Sequence, residues 1–521
     1  MEPVRGKKSR ASLGTYKEIN MERILFSHSY FLRFDPKQWA TGQPYPPLAT
    51  LGAAALMRQH GYQVSLFDTM FAEEPEELMD RLLGEQPDFF VLYDDGFNYL
   101  TKMCLTNMRD AAIRMIGLAK QQGCQVIISS SDSTDHYREY LEAGADFVLL
   151  GEGEQTLVEL IDGIRAGRKD FSRVEGLAYL TVDMQREALP GPKGEPLVMR
   201  TPPRKVMKEL DALPLPAWDL VDMESYREIW MRHHGYFSLN IGTTRGCPFK
   251  CNWCAKPIYG NRYNARSAGH VVRELKWLKE IGQFDHIWFC DDIFGLKPGW
   301  VEEFANLVEK EGLRFSFKIQ SRADLLLQEN YVRSLARAGC DNVWMGAESG
   351  SQKILDAMDK GIRVDQIYGA TRLLREHGIR PSFFIQFGYP GETKEDIRQT
   401  IHMIRELLPD SLGISVSYPL PGTVFHERVK AELSAKANWT DSDELQLLFR
   451  NTYSPPFYKQ LHRYVHKVYR KELARRQLKQ LIIRPAAITA AGLRRALSIL
   501  WYAPAALMAG VKLARLERSQ S

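Results

Sequence analysis

Residues 243–260 read TTRGCPFKCNWCAKPIYG, and the spacing inside this stretch decides how the chain is organised. Cys247, Cys251 and Cys254 form a C-x3-C-x2-C pattern directly after an apolar strand-like run, Phe237–Thr243. Iron–sulfur clusters are ligated by cysteine thiolate, so three thiolates on one short loop can hold three irons of a [4Fe–4S] cubane. The fourth iron then lacks a protein ligand. That open corner can take the amino and carboxylate groups of S-adenosylmethionine (SAM), and an electron from the cluster can cleave SAM to methionine and a 5′-deoxyadenosyl radical. The competing reading is a zinc knuckle, but structural zinc asks for four closed ligands, and no nearby Cys or His completes the set. Seven cysteines in 521 residues do not make a disulfide scaffold. Cys290 and Cys340 fall on apolar strand or helix-end segments and read as core residues.

Outward from the triad, apolar runs recur with helical stretches between them. Strands are predicted at Phe237–Thr243, His286–Cys290, Arg314–Gln320, Asn342–Ala347, Ser382–Phe387 and Gly413–Tyr418. Six βα units are fewer than the eight of a closed barrel, so an open, partial (β/α)6 barrel is expected, with its chemistry at the C-terminal mouth. Ahead of it, Arg23–His28, Gln63–Asp68, Phe89–Asp94, Gln125–Ser130 and Phe147–Gly151 alternate with helical stretches such as Leu48–His60. That order implies a parallel, doubly wound sheet of flavodoxin-like type. Residues 170–235 hold a short strand-like piece, Gly176–Val182, then PGPKGEP and LDALPLPAWDL. Repeated prolines deny the segment a long helix, and it reads as a linker that packs in part.

The triad, with aromatic Trp253 before its last cysteine, resembles the radical SAM superfamily signature. Further matches follow in order. FCDDIF (289–294) is similar to the family's acidic motif near the SAM amino group and implies Asp291 or Asp292. QSRADLL (320–326) offers Ser321 and Arg322, and GAESGSQKIL (346–355) implies Glu348 on the SAM ribose. FGYPGET (387–393) and YPLPGT (418–423) look like the motifs after the fifth and sixth strands. The resemblance also implies an electron donor such as flavodoxin or ferredoxin.

PPLATLGAAALMRQHGYQVSLFD (46–68) and GADFVLLGEGEQTLVEL (144–160) resemble the B12-binding domain of one large radical SAM subgroup, which includes the anaerobic magnesium-protoporphyrin ester cyclases and class B methyltransferases. The expected organisation is therefore a leader (1–22), a B12-binding-like domain (23–169), a linker (170–235), a radical SAM barrel (236–430) and a helical basic region (431–521). The resemblance implies cobalamin contacts at Ser129, Ser130, Ser131, Gly151, Glu152 and Gly153. Two departures bear on it. No Asp-x-His-x-x-Gly is present, so no histidine is expected on cobalt; and SSSDSTDH (129–136) stands where relatives often carry paired glycines. Serines there narrow the room for a corrin and its nucleotide tail. His136 reads as an exposed helix-start histidine.

Three functions compete: cobalamin-dependent methylation of an unactivated carbon; radical oxidation, cyclisation or rearrangement without methyl transfer; and a non-catalytic iron–sulfur or zinc scaffold. The substrate is expected to be a small or lipid-like molecule. The net charge of +5 hides an asymmetry, because Lys459–Arg518 carries fourteen Lys or Arg against Glu472 and Glu517. Global nucleic-acid binding does not follow from that distribution, whereas a local anionic partner is compatible with it. Inside the tail, ALSILWYAPAALMAGV (496–511) is nearly all apolar but short for a span and interrupted by Pro504. A peripheral membrane contact competes there with a helical cap that buries Leu500, Trp501 and Leu507 on the barrel; the cap is preferred because a basic solvated face is common. MEPVRGKKSR has no apolar run behind it, so export is not expected, and the chain reads as cytoplasmic, with a possible site at the inner membrane face.

Overall fold

The computed structural model describes residues 21–94, 96, 105–181, 197–256, 258–433, 438–483 and 489–518. The proposed leader, Cys104, most of the loop after Asp94 and the PGPKGEP stretch lie outside them. Strands β1 (Arg23–Ser27), β2 (Gln63–Phe67), β3 (Phe89–Tyr93), β4 (Gln125–Ser129) and β5 (Phe147–Leu149) form a parallel sheet in the order β2-β1-β3-β4-β5. This is the doubly wound arrangement expected. All five residues of β3 are buried, as befits a central strand covered on both faces. Leu48–Gln59 and Glu154–Arg165 pack into one core cluster, whereas Leu78–Glu85 and Thr106–Gln121 pack into another on the opposite face.

The segment read as a linker does more than cross between sheets. Strand β6 (Leu177–Thr181) adds antiparallel to β5, and β7 (Leu197–Arg200) antiparallel to β6, which extends the first sheet to seven strands. Past the prolines, Met223–His234 forms a twelve-residue helix capped by Asp222 and closed by Gly235 in the left-handed region. Tyr226 on it donates to Asp68 at 2.6 Å, and Trp230 Nε1 donates to the carbonyl of Pro44 at 2.7 Å.

The second sheet is wholly parallel and follows chain order. It runs β8 (Ser238–Ile241), β11 (His286–Phe289), β12 (Ser316–Ser321), β13 (Cys340–Glu348), β14 (Arg380–Phe387) and β15 (Ser411–Val416). Between β8 and β11, β9 (Thr244–Arg245) and β10 (Asn264–Ala265) make a small antiparallel pair. Six strands leave the barrel open, and the helix Pro455–Ile483 lies against β15, where Tyr469 donates to the carbonyls of Pro409 and Asp410, both at 2.8 Å. The first sheet is clasped from this side as well. Ser442 Oγ donates to Asp35 at 2.9 Å across 407 positions of sequence, and the amide of Thr106 donates to the carbonyl of Trp439 at 2.8 Å.

The C-terminal region is helical: Pro455–Ile483, Ala490–Leu497 and Ile499–Arg518. Pro504 sits inside the last helix and does not end it; its missing N–H removes a single intrahelical bond near the N-terminal end. The expected cap is overturned. Leu500, Trp501 and Leu507 are 74%, 72% and 71% exposed, and Ala505, Ala506 and Ala509 are buried instead. Small residues let this helix approach Pro455–Ile483 closely. A Cβ on Gly510 would lie 3.1 Å from the Tyr464 ring, and Gln460 donates to the carbonyl of Ala509 at 3.0 Å. Close packing claims the small face, and the large side chains are left outside.

Candidate active site

The three cysteines lie on the loop that leaves β8 at the C-terminal mouth of the second sheet. Cys247 is buried and its thiol pushed up by burial, whereas Cys251 and Cys254 are part-exposed, and none of the three is in a disulfide. Among the described residues no three His, Cys, Asp or Glu converge to hold one metal ion; a cubane asks for something different, one thiolate per iron. The loop is held from several sides. Asp291, at the end of β11, accepts from the amides of Thr243 at 2.7 Å and Thr244 at 2.8 Å and from the Thr243 hydroxyl. Burial pushes this carboxyl up to about 6, against those hydrogen bonds. The structure thus commits Asp291 to positioning the loop, and Asp292 is the half-buried member of the pair.

Arg322, after β12, stacks its guanidinium 3.6 Å from the centre of the Phe249 ring and is held by Asp324 at 3.0 Å. Ser321 beside it is buried. Asn252, between the second and third cysteines, joins three loops. Its side chain donates at 2.8 Å to both the Ala357 carbonyl and Asp359, and it accepts at 2.7 Å from Tyr389 after β14. Its own carbonyl accepts from the Phe425 amide at 2.9 Å. Sequence reading passed over Asn252, because nothing in its spacing marks a hydrogen-bond hub.

Glu348 ends β13 in a strained conformation, φ +56°, beside a register shift against β14. It pairs with buried Lys360 at 2.7 Å, a partner the sequence did not reveal. Burial alone would lower Lys360, yet Glu348 holds its ammonium above the ordinary value. Gly346 makes room for the pair, since a Cβ there would lie 2.7 Å from Lys360 Nζ and 2.8 Å from Glu348 Oε1. The Lys360 ammonium is also 5.8 Å from the Trp253 ring, whose buried Nε1 has no hydrogen-bond partner. The sequence-predicted SAM residues therefore gather at one mouth around the cysteine loop. The donor set fits the cluster, and the unpartnered indole N–H and the Glu348 carboxylate suit a polar nucleoside.

Glu392, in FGYPGET, is fully buried; one carboxylate oxygen accepts from the Gly388 amide at 2.7 Å and the other has no hydrogen-bond partner. Burial pushes it up to about 8 from 4.5. Between those values the folded chain binds more protons than the unfolded one, so stability falls as pH rises. Glu392→Gln should raise the melting temperature by about 2 °C or more above pH 8, with no difference at pH 4. Scanning calorimetry at the two pH values checks this.

At the facing ends of the first sheet, Glu152 and Glu154 are buried and both bind Arg245, two residues before Cys247; the Glu154 contact is 2.6 Å. Tyr259 lies 5.2 Å from the same guanidinium. The C-terminal ends of both sheets thus meet across one buried ion cluster. Burial, then repulsion from Glu154, pushes Glu152 up. Ser129 ends β4, and a Cβ on Gly153 would lie 2.8 Å from its hydroxyl, so the slot between β4 and the 151–153 loop is filled. Ser130 caps the short helix Ser131–Asp135 through the Ser133 amide at 2.7 Å, while the Ser131 hydroxyl is buried without a hydrogen-bond partner. Gly151 lies near the carbonyl of Ile258, with its Cβ position 3.8 Å away. His136 is half-buried and faces Glu139 at 3.1 Å. His28, after β1, bonds Asp68 at 2.8 Å and Thr69 at 3.2 Å.

Residues 241–404 match the model of the radical SAM superfamily. An uncharacterised methyltransferase of Pyrococcus horikoshii is 30% identical over 56% of this chain and 60% of its own length, so the chain spans three-fifths of that relative. The anaerobic magnesium-protoporphyrin IX monomethyl ester cyclase of Synechocystis is 22% identical over 79% of this chain and 78% of its own. Among solved structures, the radical SAM methyltransferase TsrM of Kitasatospora setae, with cobalamin and a [4Fe–4S] cluster bound, superposes with a TM-score of 0.62 at 19% identity, covering 78% of each chain. The second sheet and its loops are a radical SAM domain. The whole architecture, a doubly wound domain before a partial barrel, is the fold of TsrM.

Proposed function

We propose that the chain is a radical SAM enzyme that methylates an unactivated carbon with the help of cobalamin. The observation that carries this is the buried meeting of the cysteine loop with the carboxyl ends of the first sheet, through Arg245, Glu152 and Glu154. A methyl carrier on one sheet and a radical source on the other would then face the same cleft. Cys247, Cys251 and Cys254 would hold the cluster, which supplies the electron that splits SAM. Asp291, Asn252 and Arg322 fix the loop; Trp253, Asp292, Ser321 and Glu348 receive SAM. Cobalamin, which supplies the methyl group, would rest on the loops that carry Ser131 and Gly151, with no protein imidazole on cobalt. Ser129 approaches Gly153 closely at the end of β4, and His28 and His136 both already face protein partners.

Anaerobically reconstituted chain with SAM and a reductant should form 5′-deoxyadenosine; absence of cleavage in iron-loaded protein would sink the reading. Isotope-labelled methyl in the product separates methylation from oxidation, cyclisation or rearrangement, which the resemblance to the cyclase favours as the second reading. Glu348→Gln should weaken SAM binding by roughly tenfold, ~1.4 kcal/mol, at unchanged iron content; equal affinity by equilibrium dialysis would remove Glu348 from the SAM site. The substrate is a small or lipid-like molecule, the electron donor a flavodoxin or ferredoxin. The chain works in the cytoplasm, with a peripheral membrane contact through its basic tail.

A further inference from the structure

The last two helices carry an apolar face that no element among the described residues covers. Leu493, Leu497, Leu500, Trp501, Leu507, Met508 and Val511 are all 45% exposed or more. Their spacing of three, four and seven residues places them on one side of the helix pair. Arg494 and Arg495 flank one end of this face, and Lys512, Arg515 and Arg518 the other; all five are exposed. Glu517 is the single acid between residues 490 and 518, and it is drawn off to Lys394 at 2.7 Å.

Building on the peripheral contact already proposed, we infer that this face is an interfacial anchor that lies in the headgroup layer of an anionic phospholipid membrane. Interfacial helices bind through apolar burial together with attraction of their Lys and Arg to anionic lipid. By length and composition Ala490–Arg518 could also cross a bilayer. Its other face decides against that. Ala505, Ala506 and Ala509 are buried on Pro455–Ile483, a helix rich in Lys and Arg that Tyr469 ties to the barrel edge. A span would drag those charges into hydrocarbon or break the packing, whereas an interfacial posture keeps the contacts and wets the charges. A second copy of the chain fits less well. Two such faces paired antiparallel would set Arg494 and Arg495 of each against Lys512 and Arg515 of the other, with no acid between them.

The test uses the full chain and vesicles of equal parts phosphatidylglycerol and phosphatidylcholine, with pure phosphatidylcholine as control, at physiological salt. The chain should sediment with the anionic vesicles and remain free of the neutral ones. Brominated lipid should quench tryptophan emission, and Trp501→Phe should remove most of that quenching. The combined variant Leu500→Gln, Trp501→Gln, Leu507→Gln and Met508→Gln alters exposed positions only, so circular dichroism should be unchanged. Its vesicle partitioning should fall at least tenfold. Equal partitioning of this variant would overturn the anchor while leaving a charge-driven peripheral contact standing. A wild-type chain that stays in the supernatant would overturn both, and SAM cleavage by the same preparation would show the enzyme reading intact. A concentration-dependent dimer that the same variant abolishes, without vesicle binding, would reassign the face to self-association.

Discussion

Cys251→Ala protein is expected to lose SAM cleavage by roughly a thousandfold or more, ~4 kcal/mol at the barrier, and to retain little iron after reconstitution. Cys251 lies at the part-exposed side of the loop, beside Asn252, whose side chain and carbonyl together bond three neighbouring segments. The backbone would keep its place in the variant, so the loss would report a missing ligand rather than a collapsed loop. Cys247→Ala and Cys254→Ala should behave alike. Cys124→Ala, Cys290→Ala and Cys340→Ala should keep activity, because each is a core residue whose thiol sits near a backbone carbonyl. Iron analysis and 5′-deoxyadenosine yield on one set of preparations decide the matter. Full iron loading and turnover in Cys251→Ala would end the cluster assignment.

Arg245→Met should be the most damaging change at a residue outside the cysteine triad. It would leave Glu152 and Glu154, both buried, facing each other without a counter-ion. Removing one partner of a buried ionic cluster costs roughly 3–5 kcal/mol. The pH dependence has a definite sign. With the guanidinium gone, the Glu152 carboxyl rises further above its unfolded value, so the variant loses stability as pH rises and regains it as that acid protonates. Urea denaturation at pH 5 and pH 8 should show a smaller deficit at pH 5. Adding Glu152→Gln and Glu154→Gln should recover part of the loss. An equal deficit at both pH values would show that lost packing, not stranded charge, governs this interface.

Both parallel sheets were legible in the sequence for one reason: strands covered on two faces read as unbroken apolar runs, as at Phe89–Tyr93 and Ile287–Phe289, and left-handed glycines such as Gly61 and Gly378 close the helices between them. The cysteine triad was legible because ligand spacing is local. Pairings that depend on distant chain were not. Leu177–Thr181 reads as a strand-like piece beside a proline-rich stretch, but its seat between β5 and β7 is set by distant chain. Lys360 follows Glu348 by twelve positions with no motif between them, and the strained end of β13 brings them together. The tail misled through the assumption that large apolar residues go inside, a one-way rule. Here Ala505, Ala506 and Ala509 took the interface, and Trp501 was left in water.

The clasp between Asp35 and Ser442 orders events in time. Its partners are 407 positions apart, and Thr106 and Trp439 are 333 apart, so neither contact can form until most of the chain has left the ribosome. At ~5–20 residues per second, the first sheet stands by itself for on the order of tens of seconds before its last contacts arrive. During that interval the face of the first sheet at Asp35 and Thr106 is open to solvent. Once Trp439 and Ser442 settle, that face is closed over. Assembly order thus fixes when this face of the first sheet closes, with late-made residues acting as the latch.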